Sequence, residues 1–255
     1  DLQDHPVFTD KPLFVGDILG AVLAKDEETA RAAAAAVKIG FEEEAPLLDM
    51  EQAALPQTPS FREGMPQVVE GRIAYGEERL PEDAIILESV VRTQKIHHGA
   101  MENHICEARM EYGGVLLVET PCQMAFTVRY VLADLFGIPF NKVRVVKTPV
   151  GGAFGGKQEV GIEPHCALMA LKTGLPVRLA LDRTQTILAT RTRAASVGRI
   201  LIAADREGNL LRREMDVIVD AGAYATGTQR VMMAMGKKTS RLYRIPSQSF
   251  RGRTV

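Results

Sequence analysis

An excess of charge of either sign is the first thing this sequence lacks. Its 255 residues carry 31 Lys and Arg against 32 Asp and Glu, for a net charge of −1. It therefore offers no basic face to nucleic acid or to an anionic membrane. No apolar run reaches the roughly twenty residues that cross a bilayer. The opening residues, DLQDHPVFTD, are polar and acidic, unlike a secretory signal. Cysteine is also scarce. Cys106, Cys122 and Cys166 are odd in number and too widely spaced for a zinc or iron–sulfur motif. They suit buried or incidental thiols in a reducing compartment better than disulfides. These absences predict a soluble, cytoplasmic protein with neither nucleic acid nor membrane as partner. A hydrophobic content of 46% is enough for the core of one or two domains.

The stretch from Asn141 to Gly174 organises the chain. Val143 to Val150 is β-branched and short, as a strand should be. Five small residues (Gly151, Gly152, Ala153, Gly155 and Gly156) then surround one ring, Phe154. Beyond them Ile162, Cys166, Met169 and Ala170 recur at helical spacing up to Gly174, a C-cap candidate. A glycine loop between a strand and a helix can leave backbone N–H groups open to an anion or a polar cofactor edge. It is not a standard nucleotide loop. Lys157 is followed by Gln158 where a P-loop needs Ser or Thr, and the G-x-G-x-x-G spacing is missing. A nucleotide-phosphate-binding enzyme remains one alternative, and a turn that only lets strand and helix pack remains another.

Elsewhere the pattern is coarser. Leu13 to Ala24 and Ile39 to Glu44 read as strands around an Ala-rich helix capped by Asp26. Residues 56–80 have the Pro and Gly content of a linker, with one short strand possible at Gly71–Glu77. Ala84 to Gln94 reads as a buried strand. Val115 to Glu119 reads as a strand, Phe126 to Phe136 as a helix, and the segment around Glu207-Gly-Asn209 as a hairpin. His98, Glu102 and His104 carry metal-ligand chemistry. In a helix His98 and Glu102 would share a face, and in a strand Glu102 and His104 would. With no further ligand cluster nearby, polar residues satisfied in a packed turn are the better reading.

GGAFGGKQ resembles the loop GGGFGGK, followed by Glu or Gln, of the molybdenum hydroxylases: xanthine dehydrogenase, aldehyde oxidase and bacterial molybdopterin-binding subunits. Ala153 stands at the third glycine. His98 to His104 resembles that family's His-x-x-(Met or Leu)-Glu-x-His element, which serves the structure near the cofactor. Thr120 to Ala125 lies where the family has a turn bearing glutamine, and Asp220-Ala-Gly-Ala-Tyr224 resembles a further family motif. The resemblance implies an α+β fold, with the end of a small α/β hammerhead domain followed by a mixed α+β molybdopterin-binding domain. The expected divisions are 1–55 for the hammerhead end, 56–80 for the linker and 81–255 for the first, incomplete, molybdopterin-binding domain.

The resemblance also implies roles. Gln123 hydrogen-bonds the oxygen end of a molybdenum–molybdopterin cofactor, whose nucleotide form is left open. Gly152, Ala153, Phe154, Gly155 and Gly156 form the cofactor cradle. Gln123 and Phe154 lie near molybdenum without being ligands, and Gln158 faces the substrate, a small aldehyde or N-heterocycle. Many purine-hydroxylating members have glutamate there, so purines are not favoured. The family's general base sits on a later segment with no counterpart here, so no catalytic residue is assigned in this chain. It implies 2Fe–2S and FAD on partner chains or domains, and a remaining molybdopterin-binding half supplied by a longer chain or another subunit. A fold relative that binds no cofactor alone is the other alternative.

Overall fold

The computed structural model describes residues 5–61, 64–76 and 79–255. In chain order its elements begin with α1 (Glu27–Ala36), α2 (Met50–Ala53), β1 (Val69–Tyr75) and β2 (Ile85–Thr93). Then come β3 (Ile105–Glu111), β4 (Val115–Thr120), α3 (Ala125–Phe136), β5 (Val143–Lys147) and α4 (Glu163–Thr173). The last are β6 (Val177–Ala180), α5 (Arg183–Ala189), β7 (Ser196–Ala204), β8 (Leu210–Val219), α6 (Thr228–Thr239) and β9 (Ser247–Thr254). They fall into two compact units that alternate along the chain, one of residues 1–5, 43–96 and 193–255, the other of 6–42 and 97–192. The fold class is α+β with two mixed sheets.

The unit containing the glycine loop is built on a four-stranded sheet ordered β5-β4-β3-β6. The pair β4–β5 is parallel, joined through α3, and the other pairs are antiparallel. Val128 and Leu132 of α3 and Cys166, Ala167 and Ala170 of α4 bury against Leu116, Val118 and Val143 of the sheet. The helix after the loop ends as its sequence predicts: Gly174 adopts φ +68 and its N–H returns to Ala170 O. All three cysteines are free and buried. Cys106, hydrogen-bonded with Cys166 and cut off from solvent, is held well above the ordinary thiol range, so it stays protonated and packs as a small apolar group.

Asp26 caps α1 by accepting from Thr29 N–H at 2.8 Å, but the two flanking strands do not form. Residues 9–18 fold back on themselves instead. Thr9 N–H donates to Ile18 O, Asp17 N–H to Phe14 O, and Asp17 Oδ2 accepts from Leu13 N–H. Gly16 sits at φ +121, where a Cβ would lie 2.1 Å from Leu188 O. Residues 39–44 form neither helix nor strand. An apolar, β-branched run becomes a strand only when a second strand pairs with it.

The other unit carries a five-stranded sheet ordered β1-β9-β8-β7-β2. Here β8 and β9 are parallel and joined through α6, and β7 and β8 form the predicted hairpin with Gly208 at φ +87. Met232 of α6 buries against Val217, Val219 and Phe250. Gly252 lets α6 approach, since a Cβ there would lie 2.0 Å from Met232 Sδ. β1 falls on the one strand allowed inside the 56–80 stretch. β2 corrects an expectation: it is a strand, but every residue of it is exposed in this chain. It pairs only with β7, at the sheet edge, so its apolar side chains find no covering layer.

Candidate functional site

The parallel pair explains where the glycine loop lies. In open sheets, loops at the carboxyl ends of parallel strands form the crevice where ligands bind. Two segments leave β4 and β5 at that end. Pro121 to Met124 follows β4, and residues 148–161 follow β5, with Thr148 N–H still donating to Thr120 O. Gln123 and the glycine loop are thereby brought together from sequence positions about thirty apart. Gln123 N–H donates to Lys157 O at 2.8 Å, and Lys157 N–H donates to Gln123 Oε1 at 3.2 Å. That second bond engages the acceptor end of the amide, so the donor end is what Gln123 has left to offer a ligand.

The loop itself is a chain of unusual backbone angles. Gly152 has φ +109 and Gly155 φ +94, and Phe154, a non-glycine, has φ +51. Gly156 N–H donates to Ala153 O at 2.8 Å, closing a turn around Phe154. Gly151 N–H donates to Glu102. Among the described residues, the N–H groups of Gly152, Ala153, Phe154 and Gly155 have no acceptor in the protein. Four successive amide donors without partners form a nest for an electronegative edge. Phe154 stands 78% exposed beside them. The residues expected to make a cofactor cradle are consecutive in the loop, with Phe154 exposed and Ala153 buried, and open backbone donors suit an oxygen-rich pterin–molybdenum group. Gln158 is exposed at the end of the loop, its N–H directed to Gly155 O at 3.4 Å.

The histidine–glutamate element packs directly against this loop. A Cβ on Gly156 would lie 2.8 Å from His98 Nδ1. His104 Nε2 donates to Gly156 O at 3.3 Å, because a carbonyl can only accept. Its Nδ1 is then the acceptor nitrogen, buried without a hydrogen-bond partner. Burial lowers the pKa of both imidazoles from the usual value, with nearby Lys157 also lowering His104 and nearby His97 lowering His98. Glu102 turns to Lys157 Nζ, 2.5 Å away. The lysine side chain is only 4% exposed, so it points inward rather than toward a phosphate. Sequence reasoning placed Glu102 in a packed turn but missed its partner. The signal available was Lys157 without the Ser or Thr that a nucleotide loop requires. Glu163 completes the base of the loop, accepting from Thr120 Oγ1 and Gly161 N–H, each at 2.8 Å.

A domain that presents open backbone donors beside a neutral amide is a cofactor-binding domain, and comparison with known proteins says which. The family model described as the molybdopterin cofactor-binding domain matches residues 61–255. The chain belongs to that family. It is 33% identical over 247 residues to the xanthine dehydrogenase molybdenum-binding subunit of Escherichia coli, covering 95% of this chain and 33% of that one. It is 29% identical to the aldehyde oxidoreductase of Megalodesulfovibrio gigas over 260 residues, covering 100% of this chain and 29% of that protein. The crystal structure of the aldehyde oxidoreductase from Desulfovibrio desulfuricans superposes with a TM-score of 0.91 at 25% identity. It covers 98% of this chain and 28% of that chain. This chain thus spans about a third or less of the length of these relatives.

Proposed function

We propose that the protein this chain contributes to is a molybdenum-dependent hydroxylase or dehydrogenase acting on an aldehyde or an N-heterocycle. The observation that carries the reading is the run of four open N–H groups at Gly152–Gly155 set beside the Gln123 amide, in a molybdopterin cofactor-binding domain. When bound, the molybdenum group supplies oxygen transfer to a substrate carbon and accepts two electrons. The chain's own residues hold and orient it. Gly152, Ala153, Phe154, Gly155 and Gly156 form the cradle, in which backbone donors neutralise negative charge without a proton or a flexible side chain. Gln123 donates its amide N–H₂ toward the oxygen end and stays neutral in doing so. Gln158 meets the substrate as a two-way hydrogen-bonding amide suited to a neutral carbonyl or ring nitrogen. Phe154 sets its ring beside the bound group without being a ligand.

The same proposal places 2Fe–2S and FAD on partner chains or domains and the general base on a further molybdopterin-binding half. It also assigns a cytoplasmic setting, consistent with the lack, among the described residues, of any helix long and apolar enough to cross a membrane. The division into hammerhead end (1–55), linker (56–80) and cofactor domain (81–255) belongs to the proposal too. The deciding experiment is molybdenum and pterin analysis of the full-length protein with its copurifying chains, followed by turnover of a panel of aldehydes and heterocycles. Stoichiometric molybdenum with turnover supports the reading. A protein without molybdenum would be the cofactor-free relative. Bound nucleotide without molybdenum, pterin or flavin would restore the phosphate reading, which the inward turn of Lys157 opposes.

A further inference from the structure

The open donors of the loop need something to set their spacing, and nothing in the functional reading does so. Glu102 Oε2 accepts from Gly151 N–H at 3.0 Å and from Lys157 Nζ at 2.5 Å. The Glu102 N–H in turn donates to Gly151 O at 3.2 Å. A single carboxylate therefore grips the loop at both ends, and the open N–H groups lie between the two grips. The fit is close: a Cβ on Gly151 would lie 2.8 Å from Glu102 Cβ. Charge matters as well as shape. Lys157 is 4% exposed and Glu102 30%, and removing one partner of an ion pair this far from water strands the other charge.

We propose that Glu102 is a positioning residue for the cofactor loop, clasping Gly151 and Lys157 so that the N–H groups of Gly152–Gly155 converge on the bound group. The role rests on the molybdopterin reading above, but the clasp acts on the loop whether or not the cofactor is present. Glu102→Gln keeps an acceptor for Gly151 and removes the charge that Lys157 needs. Glu102→Ala removes both. Adding Lys157→Met to either variant deletes the stranded ammonium.

The test uses the full-length protein, with two readouts: molybdenum and pterin retained per chain after dialysis, and amide hydrogen exchange of peptides covering residues 149–160. Outer-shell partners of metal groups typically change affinity by about 10–100-fold, and a loss of retention in that range is expected for Glu102→Gln, with faster exchange in the loop peptides. The double variant Glu102→Gln with Lys157→Met should recover most of both. Glu102→Ala with Lys157→Met should not, because Gly151 is left unclasped. Thermal unfolding of each variant separates local from global loss, and Glu102→Gln, being isosteric, keeps the test alive if the alanine variants do not fold. Wild-type exchange and retention in Glu102→Gln would overturn the proposal, as would equal recovery in the two double variants. If the unsubstituted protein holds no molybdenum, the functional reading fails, and the exchange pattern alone still decides the clasp.

Discussion

Each unit of this chain has a parallel strand pair joined through a helix, and in each a glycine-bearing loop leaves the carboxyl end of a parallel strand. After β5 the loop runs through Gly151–Gly156, and after β8 it runs through Asp220-Ala-Gly-Ala-Tyr224. The two loops differ in what their backbone does. After β8 the first three donors are used: Asp220 N–H goes to Ala195 O, Ala221 N–H to Val255 O and Gly222 N–H to Asp220 Oδ1. Asp220 also pairs with Lys95 at 3.0 Å. After β5 four successive donors are left open. Glycine and strand topology are common to both, so neither marks a site by itself. What marks it is a set of backbone donors that the protein leaves unused and a second segment, Gln123, brought beside them.

The largest effect that could break this comparison comes from the same substitution made in both loops. Gly155 and Gly222 sit at φ +94 and +74, where a Cβ costs on the order of 1–3 kcal/mol of backbone strain. Gly155→Ala and Gly222→Ala should therefore both lower stability in urea by about that amount. Only Gly155→Ala should also deplete molybdenum, since it distorts the donors proposed to meet the cofactor. Equal molybdenum loss from both would mean that the β5 loop has no special role.

A smaller effect sharpens the comparison from the side of Gln123. Gln123→Ala loses the bond from Lys157 N–H, worth about 0.5–1.5 kcal/mol, and with it the amide donor. Folding should be nearly intact, while turnover in the molybdenum-loaded full-length protein slows. The matching change in the other loop, Asp220→Ala, removes the bond to Gly222 and a partly exposed ion pair. It should cost a similar amount, about 0.5–1.5 kcal/mol, with molybdenum and turnover unchanged. Unchanged kinetics for Gln123→Ala with molybdenum still bound would show that residue to be ordinary loop.

Much of the β5 loop was legible in sequence because its determinants are local. A β-branched run, a glycine pattern around one ring and a helical repeat ending at Gly174 each act over a few residues. The capping bond of Asp26 and the hairpin at Gly208 were legible for the same reason. The strands expected at Leu13–Ala24 and Ile39–Glu44 were not, because a strand is defined by a partner that the run itself does not encode. β2 was legible as a strand, and apolar composition says only that its residues prefer burial; within this chain no described element covers them. Glu102 is the clearest case. Its partner Lys157 is 55 residues away, and the pairing of β3 with β4 and of β4 with β5 makes them neighbours.

The smallest and reversible way to separate the loops is acid. His104 gives its Nε2 proton to Gly156 O, and a second proton would have to sit on buried Nδ1, which has no acceptor, close to the Lys157 charge. Its folded pKa is accordingly lowered, by burial first, and that of His98 is lowered in the same sense. An unfolded histidine titrates near 6.5. Above that pH neither state binds the proton, and the stability these neutral imidazoles allow is fully present. As pH falls below about 6.5 the unfolded or opened state gains protons that the folded loop refuses, so stability falls until the lowered folded pKa is passed. Protection factors for peptides over 150–160, corrected for intrinsic exchange, should therefore drop between pH 7 and pH 5. Replacing the pair, His98→Gln with His104→Gln, keeps polar side chains at both positions and removes the titration, so the drop should disappear. A drop that persists in that double variant would show that the loop opens in acid for another reason and that the histidines beneath it do not govern its order.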